Sequence, residues 1–170
     1  MMKEKIEKAF NDQINWEMYS GYIYLAMAAY FADKGLSGFA QWMKNQSGEE
    51  LFHAMKMYDY VFERGGRVIL KQIGAPEKEW DSPLEAFEEA LEHERGVTER
   101  IDKMMDLAIK ERDHASASFL QWFVDEQVEE EDSVGDVVDK LKLIGDGSAL
   151  YHLDKELGAR VFSWPAEGEQ

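Results

Sequence analysis

Apolar residues recur at alternating steps of three and four along most of the chain, the spacing of one face of an α-helix. Glycines and a Ser82-Pro83 start signal interrupt this pattern and divide it into four long segments and one short one. No alternation typical of β-strands persists between them. The sequence therefore predicts an all-α protein with a single domain, 1–170, and helices over about 3–33, 38–64, 83–111, 114–144 and 148–161.

The connections between these helices determine the predicted topology. About four residues join the first helix to the second and the third to the fourth, so each pair is expected to form an antiparallel hairpin. Residues 66–81 join the second helix to the third, and at roughly 3.3 Å per residue they reach about 50 Å. A helix of about 27 residues is only about 40 Å long. A four-helix bundle with one long crossover is therefore predicted, with a flexible loop at one end as the alternative.

The core-facing stripe of each long helix is apolar at both ends and polar in the middle. Each stripe carries one glutamate, and the predicted topology places these four within roughly 7 Å of one another along the bundle axis. They are Glu17, Glu50, Glu94 and Glu130. His53 follows Glu50 by three residues and lies on the same helix face. Gln127 precedes Glu130 by the same spacing.

Four carboxylates at one level of a core require cations, because an ionised carboxylate buried alone costs many kcal/mol and neighbouring carboxylates repel one another. No lysine or arginine lies on these stripes, whereas two divalent ions would balance the four charges. A dinuclear metal site is therefore predicted. Oxygen-rich ligation with one imidazole suits iron or manganese, and the absence of cysteine excludes thiolate ligation of zinc or iron–sulfur clusters.

Charge and hydropathy exclude several classes of partner. The chain has 19 basic and 35 acidic residues and a net charge of −16, the wrong sign for binding nucleic acid or an anionic membrane surface. The longest apolar run, 22–32, is about half the length of a membrane span. No apolar stretch follows the charged residues at the N-terminus, so no signal peptide is expected and a cytoplasmic location is predicted.

Four segments carry a specific family pattern. They read Asn-Trp-Glu-Met-Tyr-Ser at 15–20, Glu-Glu-Leu-Phe-His-Ala-Met-Lys at 49–56, Glu-Arg-Gly-Gly-Arg-Val at 63–68 and Phe-Val-Asp-Glu-Gln-Val-Glu-Glu-Glu at 123–131. Through these segments the chain resembles the non-haem ferritins of bacteria and archaea over almost its whole length. The resemblance implies a ferritin-like four-helix bundle with one long crossover and a short fifth C-terminal helix.

The resemblance also implies a ferroxidase, with metal ligands that match residue by residue. One iron site would use Glu17, Glu50 and His53. The neighbouring site would share Glu50 as a bridge and add Glu94 and Glu130, with Gln127 close by. A third iron site is implied at Glu49, Glu126 and Glu129, with Glu130 shared.

Tyr24 matches the family's tyrosine beside the centre. It lies seven residues after Glu17 on the same stripe, where it could hydrogen-bond a ligand or donate an electron. The alternative is a core tyrosine with its hydroxyl satisfied and no redox role. Haem is not expected, because the fourth helix reads Gln127-Val128-Glu129-Glu130 where a haem-binding relative would carry a second Glu-x-x-His.

The reaction implied by the resemblance is oxidation of Fe²⁺ by O₂ or hydrogen peroxide, followed by deposition of Fe³⁺ as mineral. The mineral would lie inside a shell built from twenty-four copies of the chain, so a homo-oligomer is expected. The alternative is a di-iron or di-manganese redox enzyme, a peroxidase or oxidase without mineral storage. A metal-free structural or binding bundle is disfavoured by the four glutamates at one level.

Overall fold

Five α-helices form the regular structure. The computed structural model describes residues 2–145 and 147–163, and no β-strand occurs within those ranges. The helices are α1 (Glu4–Asp33), α2 (Ser37–Glu63), α3 (Pro83–Lys110), α4 (His114–Ile144) and α5 (Ser148–Leu157). The all-α prediction is confirmed, and every helix begins within one residue of its expected start.

Side chains cap the start of α3 and α4. Ser82 Oγ accepts a hydrogen bond from the Glu85 N–H at 3.1 Å, and Pro83 occupies the first turn of α3. Asp113 Oδ1 accepts one from the Ser116 N–H at 3.1 Å at the start of α4. Such caps satisfy N–H groups that have no partner inside the helix. They explain why these two boundaries could be predicted so closely.

The segment between α2 and α3 runs along α1 from one end to the other. The Ile69 N–H donates to Asn11 Oδ1 at 2.6 Å, in the N-terminal half of α1. The Tyr30 hydroxyl, near the C-terminal end of α1, donates to the Trp80 carbonyl at 2.8 Å. The long crossover is confirmed, and the alternative of a loop confined to one end of the bundle is wrong. As a result α2 and α3 run parallel.

Buried apolar side chains form two clusters, one toward each end of the bundle. The first includes Phe31, Phe39, Phe87, Val134 and Leu141, and the second includes Phe10, Ile14, Met57, Ile101 and Phe123. The four glutamates of the core-facing stripes lie on α1 to α4 between these clusters. Burial of the two clusters provides the main driving force for folding, and it holds the polar layer in a fixed position.

The short helix α5 caps the start of α2. Asp154 Oδ1 accepts hydrogen bonds from the Gly38 N–H at 2.8 Å and the Phe39 N–H at 3.0 Å. Leu36, the residue that precedes α2, supplies no side-chain cap. The two helices approach so closely that a Cβ on Gly38 would lie 1.6 Å from the Asp154 carbonyl oxygen. α5 is therefore packed on α2 by a contact that only glycine permits.

The predicted end of α5 is four residues too far along the chain. The helix ends at Leu157 instead of near 161. A Cβ on Gly158 would lie 3.1 Å from the Cα of Gly38, so the chain already touches α2 at this point. The Asn45 amide then donates to the Arg160 carbonyl at 2.7 Å and holds the backbone outside a helical path. These tertiary contacts override a sequence that could otherwise extend the helix.

The contact at Gly38 gives a first prediction. We expect Gly38→Ala to lower the thermal midpoint and to speed hydrogen exchange in α5, because the added Cβ must displace Asp154 and lose a cap worth about 1 kcal/mol. Gly96→Ala is the control, since nothing lies within 4 Å of its Cβ position inside α3 and alanine favours a helix. Equal exchange rates in α5 for the two variants would show that the close contact is unimportant.

Candidate metal centre

Three predicted ligands meet in the middle of the bundle. One ligand atom from each of Glu17, Glu50 and His53 lies within 4.8 Å of the other two. All three side chains are buried, with exposures of 1%, 1% and 3%. His53 Nδ1 lies 3.9 Å from Glu50 Oε2, on the turn of α2 that carries both. This arrangement matches the first of the two predicted iron sites.

The imidazole of His53 also faces a second acidic group. His53 forms another cluster with Glu126 and Glu130, again with ligand atoms within 4.8 Å of one another. Its Nε2 lies 4.0 Å from Glu126 Oε2. The two ring nitrogens therefore point to carboxylates of different sites. The resemblance implied a role for His53 at the first site alone. Its position instead links that site to the cluster that contains Glu126 and Glu130.

Glu94 is held by two side-chain donors. Its Oε1 accepts a hydrogen bond from the Tyr24 hydroxyl, and its Oε2 accepts one from Gln127 Nε2 at 3.2 Å. Glu94 itself is fully buried. Gln127 thus lies next to the ligand set as predicted, with its amide nitrogen directed at Glu94. In this arrangement Gln127 orients the carboxylate of Glu94.

Two other glutamines support two of the three remaining carboxylates, those of Glu17 and Glu130. Gln13 Nε2 donates to Glu17 Oε1 at 2.8 Å, and Gln46 Nε2 donates to Glu130 Oε2 at 2.7 Å. Neither glutamine was predicted to have a role. Gln13 lies four residues before Glu17, so its helical spacing could have indicated it. Outer hydrogen bonds of this kind fix the orientation of metal ligands.

Two oxygens of the centre have no hydrogen-bond partner among the described residues. They are Glu17 Oε2 and Glu50 Oε2, and both are buried. A buried acceptor left without a donor is costly, because it has lost its water. Both oxygens belong to side chains of the cluster completed by His53. Carboxylate oxygens and an imidazole nitrogen are suitable ligands for iron, so the donor set fits a bound divalent cation.

The electrostatics of the centre also favour cations. Burial, followed by repulsion from Glu94 and Glu17, raises the pKa of Glu50 well above its ordinary value. Burial and the nearby Glu130 raise the pKa of Glu94 to about 8, although hydrogen bonds from Tyr24 and Gln127 oppose the shift. Without a cation Glu94 therefore retains a proton near neutral pH, and the shift at Glu50 favours its protonated form as well. A divalent ion would replace the protons and remove the repulsion.

Tyr24 is wholly buried beside this layer. Burial and the charges of Glu94 and Glu50 raise the pKa of its phenol well above the ordinary value. The hydroxyl therefore stays protonated and acts as a donor to Glu94. Tyr24 is thus a core tyrosine whose hydroxyl is satisfied by a predicted metal ligand. Electron donation by Tyr24 stays a prediction.

The residues predicted for a third iron site line a groove next to the centre. Glu49, Glu126 and Glu129 lie along it together with His53 and Glu130. Glu126 is partly buried and Glu129 is exposed, so the groove opens to solvent. Burial raises the pKa of Glu49 to about 7 even though Arg160 opposes the shift. The ten predicted site residues are thus brought together, in a buried layer and in this groove.

Comparison with known proteins identifies the family. A family profile described as "Ferritin-like domain" matches residues 7–144. This chain belongs to the ferritin family. It is 46% identical over 160 residues to a bacterial non-heme ferritin of Bacteroides fragilis, covering 94% of this chain and 100% of the relative. A bacterial non-heme ferritin of Staphylococcus saprophyticus is 45% identical over 163 residues, covering 95% of this chain and 98% of that one.

Solved structures give the same result. The chain superposes on an open-pore ferritin from the hyperthermophilic archaeon Archaeoglobus fulgidus with a TM-score of 0.94 and 55% identity, covering 95% of this chain and 100% of that one. An engineered closed form of the A. fulgidus ferritin gives a TM-score of 0.95, again at 55% identity, with 96% and 100% covered. The predicted resemblance to bacterial and archaeal non-haem ferritins is confirmed. Membership places the chain among iron-storage proteins.

Within residues 2–145 and 147–163, none of the helices combines the length and the apolar character needed to cross a bilayer.

Proposed function

We propose that this protein stores iron by oxidising Fe²⁺ at the buried centre and depositing Fe³⁺ inside a shell of identical chains. The observation that carries the proposal is the buried cluster of Glu17, Glu50 and His53, which includes two carboxylates with an oxygen that lacks a hydrogen-bond partner among the described residues. Family membership supports iron as the cation. Iron here is the substrate and the cargo of the protein.

Two Fe²⁺ ions would bind side by side in the polar layer. Glu17 and His53 would hold the first ion, Glu94 and Glu130 would hold the second, and Glu50 would bridge the two. Each ion gives one electron, so the pair can reduce O₂ to hydrogen peroxide with two protons and release no one-electron oxygen radical. Hydrogen peroxide as oxidant would accept two electrons and two protons and form two molecules of water.

The centre can also supply protons. Because the pKa of Glu94 is raised to about 8, this carboxyl carries a proton near neutral pH before cations bind, and the pKa of Glu50 is raised in the same direction. Binding of Fe²⁺ would displace protons from the protonated carboxyls at the place where the oxidant is reduced. Gln13 and Gln46 would keep Glu17 and Glu130 oriented through each cycle.

Oxidised iron must leave the centre for storage. The groove lined by Glu49, Glu126 and Glu129 begins at the second ring nitrogen of His53 and opens to solvent. We assign it as the third iron site and as the exit from the centre. These acidic groups are less buried than the central layer and should bind iron more weakly, which favours passage of Fe³⁺ over retention.

A shell of twenty-four chains is part of the proposal. Large apolar side chains are exposed on one face of the single chain, among them Tyr22, Leu25 and Leu51. Together with Ile73 they line a groove between α1, α2 and the crossover. Apolar surface of this kind typically marks a protein–protein contact. Contact with a second copy would bury it in the shell.

Stopped-flow oxidation of the metal-free protein tests the proposal. The protein would be loaded anaerobically with Fe²⁺ well above two ions per chain, mixed with O₂, and fractionated by size. We expect a fast phase that saturates near two ions per chain, followed by ferric iron that elutes with a very large particle. Fast oxidation without retained iron would instead support a di-iron redox enzyme. Absence of a fast phase would contradict ferroxidase activity.

The hydrogen bond from Tyr24 gives a second prediction. We expect Tyr24→Phe to slow the fast phase by about tenfold, because Glu94 loses a donor that orients it. Tyr30→Phe is the control, since it removes the same hydroxyl from a tyrosine that bonds to the crossover. The same rate in both variants would show that the Tyr24 hydroxyl has no part in the reaction.

A further inference from the structure

The chain after α5 folds back along α2 and reaches the groove. Three contacts hold it there. The Arg160 carbonyl accepts a hydrogen bond from the Asn45 amide at 2.7 Å, and the Arg160 guanidinium stacks over the Trp42 ring with 4.6 Å between carbon and centroid. Phe162 packs on Gly48, where a Cβ would lie 2.8 Å from its ring. These contacts place Arg160 beside the residues of the third site.

The guanidinium of Arg160 is paired with one of those residues. Its Nη2 donates to Glu49 Oε2 at 2.7 Å, and the two side chains are only 26% and 20% exposed. Glu126 and Glu129 line the same groove as Arg160. Arg160 Nη1 is buried and has no hydrogen-bond partner among the described residues. The ion pair therefore leaves one NH₂ group of the guanidinium without an acceptor among the described residues of an acidic groove.

We propose that Arg160 is a built-in competitor of iron for Glu49, a positioning residue that keeps the third site weak so that iron passes through it. The inference rests on the proposed function of the groove as an iron site. Glu49 Oε2 cannot give its full charge to a metal ion while Arg160 holds it. The positive guanidinium also repels any cation bound near Glu126 and Glu129.

The choice of arginine explains why the competition persists. Its guanidinium stays charged at every physiological pH, so proton loss cannot relieve the pairing. Stacking on Trp42 keeps the guanidinium close when Glu49 turns toward a metal ion. Glu49 then has a partner to return to as soon as the ion leaves. The groove would thus alternate between a bound guanidinium and a passing cation.

Calorimetric titration of the assembled, metal-free protein with Zn²⁺ tests this proposal without any oxidation. We expect Arg160→Gln to tighten binding of a third Zn²⁺ per chain by at least about tenfold, because a unit positive charge has been removed from beside the site. The affinities of the first two ions should change little. Circular dichroism and size-exclusion chromatography would verify folding and assembly in each variant.

Arg95→Gln is the matched control. Arg95 also faces an acidic side chain of α4, with its Nε 4.0 Å from Glu131, but it is 58% exposed and outside the groove. A second test adds Arg160→Gln to Glu49→Gln, where its effect should be smaller than in the wild-type background, because only the repulsion of a cation near Glu126 and Glu129 remains. The double variant therefore separates competition for Glu49 from the general effect of the positive charge on Arg160.

Three results would overturn the proposal. In the first, Arg160→Gln binds the third Zn²⁺ with the same affinity as the wild-type protein. In the second, Arg95→Gln changes that affinity as much as Arg160→Gln does. In the third, no variant binds a third Zn²⁺. In the last case the first two ions, counted in the same titration, would still report on the buried centre. If the wild-type protein failed to bind even the first two ions, that result would contradict the proposed function itself.

Discussion

Replacing Glu50 with alanine is expected to abolish the fast phase of Fe²⁺ oxidation while the shell still assembles. Glu50 is the proposed bridge, and its Oε2 has no hydrogen-bond partner among the described residues. Loss of a side chain that only orients a ligand costs about 10- to 100-fold in metal affinity, so loss of a shared ligand should exceed that range. His53→Ala should have the same effect, since His53 belongs to both clusters.

Assembly should survive because Glu50 does not stabilise the metal-free fold. Burial, followed by repulsion from Glu94 and Glu17, raises the pKa of its carboxyl, so the ionised group is unfavourable there. The measurement is stopped-flow oxidation together with size-exclusion chromatography. Asp59→Ala serves as the control, because it removes an exposed carboxylate from the same helix. Loss of the shell in Glu50→Ala or His53→Ala would show that these residues are structural.

The metal-free protein is expected to lose stability as pH rises from about 6.5 to about 8. The pKa of Glu94 lies near 4.5 when unfolded and at about 8 in the fold. Between these values the native state holds a proton that the unfolded state has lost, so the free energy of unfolding falls as pH rises. Glu94 alone should contribute about 2 kcal/mol across this range. Glu50, whose pKa is also raised, acts in the same direction.

The lower limit of that range is set by His93. Burial, followed by the charge of Arg100, lowers its pKa from 6.5 to about 4. A lowered histidine pKa destabilises the fold as pH falls below about 6.5, which opposes the effect of the carboxyls there. Thermal midpoints at fixed protein concentration would measure the trend. Glu94→Gln should flatten it, and saturation with Zn²⁺ should reverse it, since the metal binds the ionised carboxylates. If neither Glu94→Gln nor Zn²⁺ changed the dependence of the thermal midpoint on pH, that dependence could not be assigned to the buried carboxyls.

The buried layer could be predicted from the sequence because its signal is local. A helix repeats its core-facing positions every three or four residues, so a glutamate such as Glu17 or Glu94 stands out in an apolar stripe. The length of the crossover then determines the direction of α3, and this direction places the four glutamates at one height along the bundle. Ser82 and Asp113 mark helix starts by the same local logic.

The residues that could not be predicted act across the fold. Asp154 caps a helix that begins more than 100 residues earlier, since the Gly38 N–H and Asp154 Oδ1 are separated by 116 positions. Arg160 pairs with Glu49 across 111 residues, and its position depends on the early end of α5. Neither contact has a periodic signature, because each depends on how α5 lies on α2. Gln13 is different, since its four-residue spacing from Glu17 is a local signal that the sequence carries.

The cap that α5 places on α2 limits how this protein can be shortened or redesigned. A shortened chain that ended after α4 would lack Asp154, and the first N–H groups of α2 would then need another acceptor. The same deletion would take Arg160 away from Glu49. A minimal four-helix version therefore needs a capping side chain at position 36, where Leu36 offers none, and a new basic partner for the groove.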